Sequence, residues 1–200
     1  MLELASSRHR ELALIPEQSA LLILDMQDYF LSPDSHAYIP SATAILPGLQ
    51  ALIAAFTQYK LPIFFTQHIN TIENAAMMAT WWRELITPDH PLGAISPPLE
   101  PSRGVILRKP QYDAFFQTDL EARLQQLAVH QLVICGVMTH LCCETTARSA
   151  FVRGFEVFFP VDGTATYNQQ FHQATLTNLA HGFAHLYLIA DILTFFESGD

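Results

Sequence analysis

Residues 131–162 read "QLVICGVMTHLCCETTARSAFVRGFEVFFPVD". The opening "QLVICG" is an apolar run with β-branched Val133 and Ile134, and "FEVFFPVD" from Phe155 is a second. Neither alternates polar with apolar residues, so each predicts a strand buried on both faces. Between them, a helix is expected from about His140 to Gly154, where a glycine supplies the left-handed residue that commonly ends a helix. Strand, helix and strand within about thirty residues make a crossover unit, whose two strands must pair in parallel.

The same alternation extends outward in both directions. Apolar runs recur as "ALLILD" at Ala20, "LPIFFTQH" at Leu61, "GVILRK" at Gly104 and "HLYLIA" at His185. Helical stripes lie between them: Leu46, Leu49, Leu52, Ile53 and Phe56; then Met77, Met78, Trp81, Trp82 and Leu85; then Leu120, Leu124 and Leu127. The third stripe is opened by Thr118 with Glu121 three residues later, a capping-box pattern. Asn168 is placed to cap a further helix. The expectation is one α/β domain over residues 1–200, a three-layer α/β/α arrangement with a mostly parallel, six-stranded, Rossmann-like sheet. The Pro-rich stretch "PDHPLGAISPPLEPSRG" reads as a surface loop, not a linker.

Composition narrows the function classes. Ten Lys+Arg against nineteen Asp+Glu give a net charge of -9, with no basic cluster, so neither nucleic acid nor an anionic membrane surface is an expected partner. The N-terminal stretch has no apolar core of signal-peptide length. The best membrane-span candidate, "AILPGLQALIAAF", is short and interrupted by Pro47, Gly48 and Gln50. Three cysteines make no disulfide framework in a chain of 200 residues. A cytoplasmic protein with reduced thiols is expected.

In a parallel sheet, ligands bind beyond the carboxyl ends of the strands. The polar residues expected there are Asp25, Gln27 and Asp28; Gln67 and His68; Arg108 and Lys109; Thr139 to Cys143; and Asp162 and Thr164. Cys142 and Cys143 fall near the first turn of a helix, where backbone N–H groups and the helix dipole favour a thiolate. Adjacent helical residues point about 100° apart, so only one thiol can face a cleft. On the residues alone, both cysteines also fit as small buried hydrophobes, as Cys135 does inside its strand. Asp25 fits a turn or cap, and Arg108 fits the inward position as well as Lys109.

Three segments taken together go further. "ALLILDMQDYF", "VILRKPQYDAFFQTDLE" and "GVMTHLCCETTARSAFVRGFEVFF" resemble, in order and spacing, the signature blocks of the isochorismatase-like cysteine hydrolases. That superfamily includes isochorismatases, nicotinamidases and N-carbamoylsarcosine amidases. The resemblance implies a catalytic triad of Asp25, which precedes "MQD"; Lys109, which precedes "PQYDAFF"; and Cys142, three residues past Thr139 and four before Thr146-Ala147. Cys143 then falls where the family has an apolar residue. The resemblance also implies a cis peptide at Val137–Met138 and an oxyanion hole from the N–H groups of Met138 and Cys142. It implies a homo-oligomer, dimer or larger, acting on a small-molecule substrate.

Two departures sharpen the expectation. Nicotinamidases hold a metal through an Asp-x-His motif after the second strand, whereas this strand ends "FFTQHIN"; no metal and no other cofactor are therefore expected. Isochorismatases share the run containing His140 but have a small residue at the position of Cys142. Vinyl-ether hydrolysis by proton transfer needs no thiol, so a cysteine beside an aspartate and a lysine points to acyl chemistry on an amide or carbamoyl C–N bond. The alternatives are ether hydrolysis with Asp25 as the acid, or a non-catalytic ligand-binding or redox-sensing protein using the thiols. The residues expected to line the substrate site are Gln27, Phe30, His68, Trp81, Tyr112 and His140. Trp81, Trp82 and Tyr112 fit a pocket and a core or subunit interface equally well.

Overall fold

The computed structural model describes residues 12–197. The apolar runs become strands β1 (Ser19–Leu24), β2 (Ile63–His68), β3 (Val105–Lys109), β4 (Gln131–Val137) and β5 (Glu156–Pro160). A two-residue strand, β6 (Thr164–Ala165), precedes β7 (His185–Tyr187). The strands pair in parallel in the order β3-β2-β1-β4-β5-β7, with β6 alongside the end of β4. The sheet is thus seven-stranded where six strands were expected, because two residues carry no periodicity that a pattern could reveal.

The helices are α1 (Asp28–Leu31), α2 (Leu46–Gln58), α3 (Met78–Trp81), α4 (Leu120–Gln126), α5 (Glu144–Val152), α6 (Gln169–Gly182) and α7 (Ile189–Glu197). Side chains alternate across a strand. Leu21 and Ile23 of β1 accordingly join a core with Leu52 and Phe56 of α2 and Ile192 of α7. Ala20, Leu22 and Leu24 join a second core with Leu124 of α4, Ala147 of α5 and Leu179 of α6. Every residue of β1 is buried, which explains why its sequence does not alternate. Gly136 lets β4 approach β1: its φ is +109°, and a Cβ there would lie 2.1 Å from the Leu24 carbonyl oxygen.

Caps and ends follow the sequence in part. Asn168 accepts the Phe171 N–H at 2.9 Å and so caps α6. Gly154 takes φ +87° just after α5. The helix expected from His140 opens instead as a π-helical turn over Thr139–Cys143, and α5 proper begins at Glu144. The capping box at Thr118 does not form. Asp119 holds the N-cap position, Thr118 Oγ1 donates to the Ala114 carbonyl, and Glu121 reaches across to Arg153 at 3.1 Å. The Met77–Leu85 stripe yields only the single turn of α3, because the backbone becomes extended at Trp82 (ψ 152°). A 3-10 turn and α2 run on as one helical stretch, Pro40–Gln58. By length and composition that stretch could cross a membrane, which the interrupted sequence did not suggest. Its Leu49, Leu52, Ile53 and Phe56 face is buried in the core.

Candidate active site

Strand order reverses direction at β1 and β4, which sit side by side with β2–β3 on one flank and β5–β7 on the other. A crevice opens beyond the carboxyl ends at such a switch point. Asp25 is the first residue past β1, Lys109 the last of β3, and Cys142 lies in the turn after β4. The fold therefore gathers three residues spaced far apart in sequence.

Their contacts are close and dry. Lys109 Nζ lies 2.7 Å from Asp25 Oδ2, and both side chains are fully buried. The same ammonium donates to Cys142 Sγ at 3.4 Å and to the Gln111 carbonyl at 2.9 Å, which uses its three donors. Asp25 takes φ +50°, unusual for a residue with a Cβ. Thr66 holds it there. The Thr66 hydroxyl accepts the Asp25 N–H at 3.1 Å and donates to Asp25 Oδ1 at 2.6 Å. Alternation along β3 turns Lys109 inward and sends Arg108 outward to Gln67 Oε1 at 3.3 Å.

The charges settle as a carboxylate, an ammonium and a neutral thiol. Burial alone would raise the Asp25 pKa, but the Lys109 charge, helped by His68 and Cys142, outweighs it and holds the carboxyl below its ordinary value. Burial would lower Lys109, and the Asp25 charge, with the hydrogen bonds to Asp25 and Cys142, reverses that, so it sits above its ordinary value. For Cys142, burial raises the pKa and the Asp25 charge adds to it, with Lys109 offsetting only part. The helix terminus therefore does not by itself produce a resting thiolate, because removal from water dominates. Cys143 is fully buried, and burial, followed by its neighbours Cys142 and Asp25, raises its pKa well above the ordinary value. Cys135 is equally buried within β4.

Cys142 forms part of the floor of a cleft of about 170 Å³. Aromatic and aliphatic side chains make most of its walls, among them Tyr29, Phe30, Trp82, Tyr112, Met138 and Tyr167. The peptide bond between Val137 and Met138 is cis. Trp82 Nε1 donates to the Tyr112 hydroxyl at 2.8 Å, joining two walls.

Of the residues expected around the substrate, Phe30, His68 and Tyr112 line this cleft. Trp81 does not. It is 73% exposed, because α3 ends there and only Trp82 turns back over the cleft. Gln27 is fully buried beneath the site and ties β1 to β2, donating to the His68 and Gly93 carbonyls and accepting the His68 N–H. His140 stacks on Phe171 at 4.2 Å and bonds the Thr166 hydroxyl at 2.7 Å, away from the cleft. Asp162 accepts the Ile189 N–H at the start of α7, as a capping residue does. Sequence reasoning missed Thr66, although it lies two residues before His68 and so on the same face of β2. It also missed Tyr29, Asn70 and Tyr167, which come from loops and a short helix without a repeating pattern.

At the end of β2 one ring nitrogen of His68 is engaged by a neighbour and the other is buried without a hydrogen-bond partner among the described residues. His68 Nε2 is paired with Asn70 Oδ1 at 2.9 Å, and Asn70 Nδ2 is fixed on the Pro110 carbonyl at 2.8 Å. Burial, then the Lys109 charge, lowers the His68 pKa to about 4, so the ring is neutral. Among the described residues no group of three or more His, Cys, Asp or Glu side chains is arranged to hold a metal ion.

Comparison with known proteins identifies the family. The family model for the isochorismatase domain matches residues 19–191. Nicotinamidase 3 of Arabidopsis thaliana is 38% identical over 178 residues, covering 84% of this chain and 83% of the relative. Component B of enterobactin synthase from Escherichia coli K12 is 29% identical over 89% of this chain, which spans only 63% of that relative's length. Among solved structures, a cysteine hydrolase from Pseudomonas syringae pv. phaseolicola superposes with a TM-score of 0.91 at 24% identity, over 96% of this chain and 99% of that one. A nicotinamidase from Bacillus subtilis gives 0.79 at 20% identity, over 84% and 98%. Both structural likenesses speak to the fold.

Proposed function

This chain belongs to the isochorismatase family of hydrolases, and we propose that it hydrolyses a non-peptide C–N bond, in a small amide or carbamoyl compound, through a cysteine acyl-enzyme. One arrangement carries the reading: a buried carboxylate and a thiol sharing one ammonium, with the thiol on the floor of an apolar cleft.

The resting thiol is neutral, so its proton leaves as the sulfur bonds to the substrate carbonyl carbon. Asp25 receives that proton, and Lys109 holds the negative charge that builds on sulfur. The N–H groups of Met138 and Cys142 bind the carbonyl oxygen as it becomes an oxyanion. When the tetrahedral adduct collapses, the C–N bond breaks and Asp25 returns the proton to the departing nitrogen. Water then attacks the thioester, Asp25 takes its proton, the C–S bond breaks, and the acid leaves while the thiol is restored. Thr66 keeps Asp25 facing Lys109 throughout.

The test pairs turnover with labelling. Ammonia or amine release is measured on nicotinamide, N-carbamoyl amino acids and other small amides, with isochorismate alongside. Iodoacetamide is then added at one equivalent. The expected result is amide turnover that is lost as a single alkyl group accumulates on Cys142. Turnover of isochorismate without any amide, surviving alkylation of Cys142, would replace this reading with ether hydrolysis using Asp25 as the acid.

A further inference from the structure

The span Trp82–Ile86 bends just after α3 and is pinned at three points. Trp82 is fixed to Tyr112, Glu84 to His36 at 3.0 Å, and the Ile86 carbonyl to the Asn70 N–H at 2.8 Å. Both Arg83 and Glu84 line the cleft, yet their charges are in different situations. Glu84 Oε1 faces His36 Nδ1 and, at 3.9 Å, His90 Nε2. The Leu92 N–H donates to His90 Nδ1 at 3.1 Å, so Nε2 carries a proton and points it at Glu84. The Tyr29 hydroxyl lies 3.4 Å from His36 Nε2, on the far side of the ring from Glu84. The carboxylate is thereby occupied.

Arg83 makes no ion pair among the described residues. Its charge is felt inside the cleft, at the Tyr29 phenol, where it works against burial and the neighbouring Glu84. The other cation at the site, Lys109, has already spent its three donors. Arg83 is thus an uncommitted planar donor, held on a pinned span, at the rim of an otherwise apolar cleft in a chain of net charge -9. A guanidinium of this kind matches a carboxylate in bidentate fashion.

We propose that the substrate carries an anionic group, of the carboxylate class, at the end of its acyl portion remote from the scissile carbonyl, and that Arg83 binds it. This rests on the amide-hydrolase reading and adds the substrate class to it. The apolar walls take the middle of the molecule, Cys142 its carbonyl and Arg83 its far end. Glu84, tied to two imidazoles, is kept from competing for Arg83.

Matched pairs of amides test it: terephthalamate against para-toluamide, and succinamate against butyramide. Each is assayed with the native enzyme, Arg83→Ala and Arg83→Lys. The native enzyme should prefer the anionic member by about tenfold or more in kcat/KM at low salt, mainly through KM, as expected of one partly exposed charge-assisted contact. The preference should shrink as ionic strength rises. Arg83→Ala should erase the preference, lowering kcat/KM for the anionic member of each pair far more than for the neutral one, and Arg83→Lys should keep part of it. Binding of terephthalate and of para-toluate, followed by calorimetry on the native enzyme and Arg83→Ala, reads the same contact without turnover. Terephthalate should lose about tenfold in affinity on substitution, beyond any change for para-toluate. No native preference for the anionic member, or a preference that Arg83→Ala leaves intact in both assays, overturns the proposal. Failure to cleave any amide, with terephthalate binding still dependent on Arg83, would overturn the amide reading and leave the anion site standing.

Discussion

Lys109→Met removes the ammonium at the centre of the site and keeps most of its volume. At 2.7 Å, and with an effective dielectric of about 20, the Asp25–Lys109 attraction is on the order of 6 kcal/mol before desolvation is counted. Removing Lys109 leaves Asp25 buried with only the Thr66 hydroxyl and weaker neighbours to offset the loss of water. Breaking a buried pair in this way costs about 3–5 kcal/mol. The double variant Asp25→Asn/Lys109→Met leaves no charge and should fall within about 1–2 kcal/mol of the native protein. The pH dependence should invert. In the native protein Asp25 has a folded pKa below its ordinary value of 3.8, so its contribution is present above that value and is lost as pH falls through the folded pKa. In Lys109→Met, burial loses its main opponent and the folded pKa is expected to rise above 3.8, so the variant should recover stability as pH falls from 7 toward that pKa. Urea unfolding at pH 7 and pH 5, with unchanged m-values, measures both effects. A single variant within about 1 kcal/mol of native at pH 7, or a double variant costing the sum of the two singles, would refute the account of a strongly coupled buried pair.

Four shorter predictions concern the same site. Cys142→Ala should abolish acyl-enzyme formation and amide turnover, whereas Cys143→Ala should keep most activity and cost stability, about 1–2 kcal/mol for a small buried side chain, as read by intact-mass trapping and urea unfolding. Thr66→Val, similar in shape, should lower kcat by about ten- to a hundredfold with little change in KM, and Thr66→Ser should restore most of it; equal kcat in all three forms would remove Thr66 from its positioning role. The folded His68 pKa near 4 lies below its ordinary 6.5, so the unfolded chain binds more protons between those values and stability should fall as pH drops through that window; the three thiols have raised pKa values, so stability should also fall as pH rises above about 9. Treatment with a strong chelator should leave turnover unchanged, since no three ligand-type side chains converge among the described residues; activity lost on chelation and restored by a transition metal would contradict this.

Periodicity in the sequence was sufficient for the layers. Six unalternated apolar runs predicted strands buried on both faces; that holds for the central β1 and β4, whereas the edge strands β3 and β7 are partly exposed. The helical stripes between the runs still required a parallel sheet, so Asp25, Lys109 and Cys142 were already bound for one edge. Arg108 and Lys109 could not be told apart, because adjacent strand residues face opposite ways and only the register of β3 against β2 shows which side is the interior. Cys142 and Cys143 were separable only by resemblance until the turn after β4 placed one on the cleft floor and the other in the core. The cleft walls were least legible. Trp81 and Trp82 carry the same residue type at the same helical stripe, and what separates them is one backbone angle at the end of a four-residue helix. Tyr29, Asn70 and Tyr167 reach the cleft from non-repeating segments, where no period constrains direction and long-range packing decides. Protonation was decided last and wholly by tertiary structure: a cysteine at a helix terminus promises a thiolate, but burial beside the Asp25 carboxylate, which lies at the end of another strand, keeps this one neutral, and neither burial nor that neighbour is written in any local stretch of the chain.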